Sequence, residues 1–267
     1  MTRDAGLLET ARLSVSIHGK RILHDIDLTA RAGTLTAIVG PNGSGKSTLL
    51  KALSSELPFA GSARLNGRCI AASPPADMAR RRAVLPQQSA INFPLTVTEV
   101  VRLGGEMVEP ARLRQALDLV GLAGFGGRMY YDLSGGEQQR VQLARVLCQI
   151  WEPVADGEPR WLLLDEPVSS LDIHHQLLVM QLAAGYARAG GGVVAVMHDL
   201  NLTAMFAGHV LAMKNGRLAA AGTPAETLTT PVLSHVFSCA LTVGAAPQRG
   251  EPFVLPHSVD LGALSYG

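Results

Sequence analysis

Nine consecutive residues can do chemistry together. Gly40-Pro41-Asn42-Gly43-Ser44-Gly45-Lys46-Ser47-Thr48 has the spacing G-x-x-x-x-G-K-[ST] of a phosphate-binding loop. Its glycines let the backbone turn sharply and aim successive N–H groups at one point, and a helix start behind them adds positive potential. A polyphosphate fits such a cradle. Lys46 can set its ammonium against the β- and γ-phosphates, and the Ser47 hydroxyl is a hard oxygen donor for Mg²⁺.

Three other places carry reactive groups. Asp165-Glu166-Pro167 follows the wholly apolar Trp161-Leu162-Leu163-Leu164, and carboxylates at the carboxyl end of a buried strand face the crevice where α/β sheets bind ligands. Asp165 would hold Mg²⁺ through its water shell, and Glu166 would orient or deprotonate an attacking water. The bland alternative is that Asp-Glu-Pro merely starts a helix. His198 follows Val193-Val194-Ala195-Val196-Met197 in the same way and could hydrogen-bond a γ-phosphate. Ser134-Gly135-Gly136 opens a helical pattern (Val141, Ala144, Leu147, Ile150, Trp151) with Ser134 as its N-cap. That helix start could receive an anion or be an ordinary capped core helix; its residues alone leave both open.

These groups need strands and helices to position them. Residues 35–39 are short, β-branched and apolar, as a buried parallel strand should be, and residues 49–53 read as the helix after the loop. Ahead of them, residues 12–28 alternate apolar runs with a Gly19-Lys20 turn and predict a hairpin, and residues 61–67 predict a further strand closed by Asn66-Gly67. The expected result is a small antiparallel sheet beside the phosphate loop. Residues 75–82 predict a helix with proline in its first turn, and residues 83–86 a buried strand that delivers Gln87 and Gln88. Helical periodicity then runs over 96–121, residues 124–132 read as a glycine-rich loop, and residues 152–160 as a polar loop. Residues 173–188 predict a helix capped by Ser169-Ser170-Leu171-Asp172, with the adjacent His174 and His175 at its surface. Beyond His198 come a helix over 200–207, strands about an Asn215-Gly216 turn, helices near 224–228 and 231–237, and a tail over 239–267 with two possible short strands.

Composition excludes several classes. A net charge of +1 and 17% charged residues leave no electrostatic footprint for nucleic acid. Cys69, Cys148 and Cys239 follow no zinc or C-x-x-C spacing and suit a reducing compartment. The first residues carry no signal-peptide pattern, and no apolar run approaches the roughly 18 residues that span a bilayer. With a mean hydropathy of +0.20, membrane association is expected through a partner.

Taken in their order, these motifs resemble the ATP-binding subunit of ABC transporters over nearly the whole chain. Residues 40–48 resemble the Walker A loop, Gln87 the Q-loop glutamine, residues 133–138 the LSGGQ-type signature, residues 162–166 the Walker B strand with its glutamate, residues 169–172 the D-loop, and His198 the switch histidine. The resemblance implies an α/β fold of the P-loop NTPase (RecA-like) kind: a parallel sheet core with an antiparallel β subdomain and an inserted α-helical subdomain. It implies one ABC ATPase domain over 1–267. Residues 12–89 and 143–230 would form the nucleotide-binding core and β subdomain, 90–142 the helical subdomain, and 231–267 a C-terminal extension. ATP and Mg²⁺ are the implied cofactors. Gly40, Pro41, Asn42, Gly43, Ser44, Gly45, Lys46, Ser47 and Thr48 would bind nucleotide, Ser47, Gln87 and Asp165 the metal, while Lys46, Gln87, Glu166 and His198 act in catalysis. Ser134, Gly135 and Gly136 are then similar to a helix start that completes the other subunit's site, in a head-to-tail homodimer around two ATP molecules. The implied partners are two transmembrane permease subunits and, through them, a periplasmic substrate-binding protein, at the cytoplasmic face of the bacterial inner membrane.

Two positions depart from the pattern: Glu137 stands where the signature usually has Gln, and Ile17 where an aromatic ring normally stacks on adenine. Adenine would then meet His18 or bind by apolar contact. The closest resemblance is to the importer branch for iron chelates, haem and cobalamin. Residues 83–88, Asn92-Phe93-Pro94, the extra loop over 152–160 and Met197-His198-Asp199-Leu200-Asn201 resemble the haem (hemin) importer ATPases. Iron-siderophore or cobalamin import is the alternative. Soluble ABC ATPases acting on ribosomes or DNA usually carry two cassettes or a long coiled-coil insertion, and this chain has neither. An exporter ATPase fits the Gln87 neighbourhood less well, and a module that binds nucleotide without turnover would not need Asp165, Glu166 and His198.

Overall fold

The computed structural model describes residues 6–87, 91, 93–105, 108–246, 250 and 252–259. Gln88, Asn92 and the last residues of the tail lie outside the described residues. The chain opens with β1 (Leu7–Ile17), β2 (Lys20–Arg31) and β3 (Leu35–Val39), followed by the phosphate loop and α1 (Lys46–Leu53). Next come β4 (Ala60–Leu65), β5 (Arg68–Cys69), α2 (Pro75–Ala79), β6 (Arg82–Leu85), α3 (Val97–Arg102), α4 (Pro110–Leu119) and α5 (Gly135–Gln149). The second half adds β7 (Val154–Ala155), β8 (Glu158–Pro159), β9 (Trp161–Asp165), α6 (Ile173–Arg188), β10 (Gly192–Val196) and α7 (Leu200–Phe206). It closes with β11 (His209–Lys214), β12 (Arg217–Gly222), α8 (Pro224–Thr227) and α9 (Thr230–Phe237).

The apolar runs assemble into one six-stranded sheet in the order β12-β11-β3-β10-β9-β6. All are parallel except the edge strand β12. Successive side chains alternate faces, so each wholly buried strand feeds two cores. Leu35, Ala37, Val39, Leu162, Leu164, Val193 and Ala195 face one core, which also holds Val141, Ala144 and Leu147 of α5 and Leu177 and Met180 of α6. Ile38, Leu163, Val194, Val196 and Leu211 face the other, with Leu49, Leu50 and Leu53 of α1 and Leu13, Leu23 and Ile26 of the antiparallel sheet β2-β1-β4-β5. Helix α1 therefore lies between the two sheets. Its three leucines are essentially inaccessible, each contributing roughly 1.5–3 kcal/mol of burial, which fixes the loop at its N-terminus.

Several expectations are corrected. β1 starts at Leu7, ahead of the expected residue 12. Arg82 does not end the helix over 75–82: α2 stops at Ala79 and Arg82 begins β6, paired with Trp161. Its guanidinium donates to the carbonyls of Leu53 and Ser54 at 2.6 Å each and so caps the carboxyl end of α1. Burial pulls its pKa down to about 10. Nothing local in Arg80-Arg81-Arg82 reveals that its last member lies under another helix. Trp151 falls outside α5, which ends at Gln149 just before Pro153. The polar loop over 152–160 contains a two-stranded hairpin, β7 with β8, turning at Asp156-Gly157 in left-handed backbone. Asn66 holds this hairpin, donating to the Pro159 carbonyl at 2.8 Å and accepting from the Trp161 indole at 3.1 Å. The described part of the tail forms a short 3-10 turn at Pro256–Ser258 and no strand. His174 is exposed and His175 partly so, paired with the exposed Asp172 at 2.8 Å, so both lie at the surface as expected.

Candidate nucleotide site

Four strands of the parallel sheet end on the expected residues. β3 runs into the phosphate loop, β9 into Asp165 and Glu166, β10 into Met197 and His198, and β6 through Pro86 into Gln87. Their carboxyl ends share one edge, and there a cavity of about 500 Å³ is lined by Asn42, Gly43, Gly45, Lys46, Ser47, Thr48, Gln87, Glu166 and His198. Gly40, Pro41, Ser44 and Asp165 support it without lining it. Ser134, Gly135 and Gly136 line no part of it.

Two glycines are required by geometry. A Cβ on Gly40 would collide with the Met213 carbonyl, and one on Gly45, at φ +101°, would lie 2.6 Å from Leu23 Cδ2. Gly45 occupies the N-cap of α1 without offering a side-chain cap, so the first N–H groups of the helix stay available to an anion. Ser44 Oγ is buried with no partner among the described residues, a further polar atom turned inside the loop.

The charged groups are already joined. Lys46 Nζ donates to the Gly40 and Pro41 carbonyls at 2.9 and 3.1 Å, lying back along the loop. Burial is the main cause that lowers its pKa, opposed by the carboxylates of Glu166 and Asp165. A triphosphate would supply the missing counter-charge. Ser47 Oγ donates to Asp165 Oδ1 at 2.9 Å, so a hydroxyl and a carboxylate stand side by side as hard oxygen donors. Burial raises the Asp165 pKa, the Ser47 hydrogen bond lowers it, and the Glu166 charge raises it again. Glu166 stands between two donors: Gln87 Nε2 at 2.8 Å from Oε2, and His198 Nε2 at 2.7 Å from Oε1. With Glu166 ionised, His198 must carry its proton on Nε2. Each carboxylate oxygen keeps a lone pair for a water.

At the N-terminus of α5, Ser134 caps the helix in a reciprocal box. Its Oγ accepts from the Glu137 N–H at 3.3 Å, while Glu137 Oε2 accepts from the Ser134 N–H at 2.8 Å and its hydroxyl at 2.7 Å. The same box explains how Glu replaces Gln at 137 without loss of the helix start. Asp199, which follows His198, is the N-cap of α7 and accepts from the N–H groups of Asn201 and Leu202 at 2.7 and 2.9 Å. The sequence reading did not single out Gln139, whose Nε2 donates to the Glu166 carbonyl at 3.0 Å. Nothing local could have revealed it, since a polar residue near a helix start reads as solvated.

Residues 23–169 match the family described as ABC transporter, and the chain belongs to that family. It is an ABC-type ATPase that binds ATP, hydrolyses it to power transport and works with a membrane permease. It is 55% identical over 255 residues to the Hemin import ATP-binding protein HmuV of Jannaschia sp. (strain CCS1), covering 94% of each chain. To the protein of the same description from Rhizobium meliloti (strain 1021) it is 56% identical over 262 residues, covering 96% of this chain and 100% of the relative. The fold is also similar to a bacterial Atm1-family ABC exporter with ATP bound, with a TM-score of 0.75 and 24% identity over 85% of this chain. This chain spans 40% of the length of that exporter. Among the described residues no helix is long and apolar enough to cross a membrane.

Proposed function

We propose that the chain is the ATP-hydrolysing subunit of an importer that carries haem (hemin) across the bacterial inner membrane. The observation that carries the cargo is the 55–56% identity to hemin import ATP-binding proteins over almost the full length of both chains. In this reading the subunit sits at the cytoplasmic face as a homodimer, bound to two permease subunits and, through them, to a periplasmic haem-binding protein. Residues 12–89 and 143–230 serve as core and β subdomain, 90–142 as a helical subdomain, and 231–267 as a C-terminal extension.

The adjacent oxygens of Ser47 and Asp165, with the Gln87 side chain nearby, fit Mg²⁺, which when bound would neutralise charge on the phosphate oxygens. The residues themselves do the rest. The N–H groups of 40–48 and Lys46 hold the triphosphate, Glu166 takes a proton from or orients the water, and His198 Nε2 donates to the γ-phosphate once it leaves Glu166. Ser134, Gly135 and Gly136 reach the triphosphate held by the other copy, so binding closes the pair and hydrolysis reopens it. The permease would sense that closure through the helical insertion near Gln87 to Leu103. Uptake of labelled haem by vesicles holding the subunit and its permease tests the cargo. ATP-dependent uptake of a siderophore or cobalamin, with haem ignored, would overturn it.

Ile17 ends β1, half-buried against the core beneath the antiparallel sheet, with His18 exposed beside it in left-handed backbone. The only ring this strand end offers is the His18 imidazole. Ile17→Tyr should therefore lower KM for ATP by about tenfold, within the roughly 1–3 kcal/mol a stacked base contributes, and lower that for GTP alike, because every base has a π-face. Unchanged KM values would move the base away from the end of β1.

A further inference from the structure

Glu166 holds a backbone conformation that its side chain disfavours. Its φ is +51°, in the left-handed region, and such residues persist only where their surroundings over-determine them. Besides the side-chain bonds to Gln87 and His198, the hydrogen bonds that hold its backbone are few. The Glu166 N–H donates to the Val196 carbonyl at 3.2 Å. The Glu166 carbonyl accepts from Ser169 Oγ at 3.2 Å and the Ser169 N–H at 3.3 Å, both within the same turn. The remaining donor, and the shortest of the set, is Gln139 Nε2 at 3.0 Å, which reaches in from α5. The other end of that amide, Gln139 Oε1, is buried with no partner among the described residues. The side chain is thus oriented by its bond to Glu166 and not by a closed polar network.

We propose that Gln139 is a positioning residue for Glu166, fixing the turn from which the carboxylate meets Gln87 and His198. The inference rests on the head-to-tail reading above, and it adds a route between the two sites. Gln139 lies five residues beyond Ser134, about 7.5 Å along the same rigid helix. When residues 134–136 of one copy engage the triphosphate of the other, any shift of α5 is felt directly at the Glu166 carbonyl of its own site. Occupancy of one site thereby sets the geometry of the base in its neighbour.

The test uses the full chain with Gln139→Met, which keeps length and removes the donor, and Gln139→Glu, which keeps shape and offers a carboxylate to a carbonyl. Both should lower kcat by about ten- to a hundredfold, the range of a misplaced catalytic group, with KM for ATP within twofold. Both should also lower the Hill coefficient for ATP towards one, while the melting temperature stays within a few degrees. A kcat within twofold of the parent protein overturns the proposal. So does a joint collapse of kcat, KM and melting temperature, which would make Gln139 merely structural. ATP-induced dimerisation of Glu166→Gln with Gln139 intact separates the two readings. No dimer sinks the head-to-tail arrangement and this inference with it, whereas a dimer together with unchanged Gln139 variants sinks this inference alone.

Discussion

Glu166→Gln is expected to bind ATP, close into a dimer and then hardly turn over, with kcat reduced by about 10²–10⁴, the contribution of a positioned general base. The amide fills the same volume between Gln87 and His198, which approach the carboxylate at 2.8 and 2.7 Å. One amide oxygen still accepts from one donor, so the pocket keeps its shape. What disappears is the second acceptor and the negative charge that draws a proton from water. Because Lys46, Ser47 and Asp165 are untouched, nucleotide affinity should hold or rise, since one negative charge near the phosphates is removed. Steady-state hydrolysis and retention of ATP by the gel-filtered dimer measure both halves. Turnover within tenfold of the parent protein would remove Glu166 from this role.

Lys46→Ala is expected to act on the opposite side of the balance, weakening ATP binding by roughly 100- to 4000-fold. The lysine is 5% exposed, and its ammonium is held over the loop by the Gly40 and Pro41 carbonyls. Removing one partner of a buried charge pair costs about 3–5 kcal/mol, and each 1.4 kcal/mol is a factor of ten. Lys46→Arg should rescue little, because a planar fork cannot follow the path of a point charge folded back along a tight loop. Calorimetric titration with ATP reads the loss directly. Affinity within tenfold of the parent protein would show that backbone N–H groups alone carry the triphosphate. The two variants separate cleanly, one failing in chemistry with binding intact and the other failing in binding.

The site resists a simple sum of its residues because its parts are tied to each other. Glu166 is shared among Gln87, His198 and, through its carbonyl, Gln139 and Ser169. Ser134 is engaged by Glu137 on three hydrogen bonds. Engaging a phosphate means exchanging these bonds for new ones, so a change at one member is felt by the rest.

By itself the sequence marked the groups at the sheet edge that are able to do chemistry. The nine residues of the phosphate loop, the acids after Trp161-Leu162-Leu163-Leu164 and the histidine after Met197 are local patterns, in which a strand, a turn and a polar group stand within a few residues of each other. Such patterns survive any arrangement of the rest of the chain. The tertiary structure alone decided which groups touch. Gln87 and Glu166 are 79 residues apart and His198 is 32 beyond Glu166, yet they meet because the strand order places β9 between β6 and β10. The same holds for Arg82 beneath the end of α1, 28 residues earlier, and for Gln139 against the Glu166 carbonyl, 27 residues later. These are contacts between elements, set by how two cores close on a twisted sheet, and periodicity within one element carries no record of what another will bring against it.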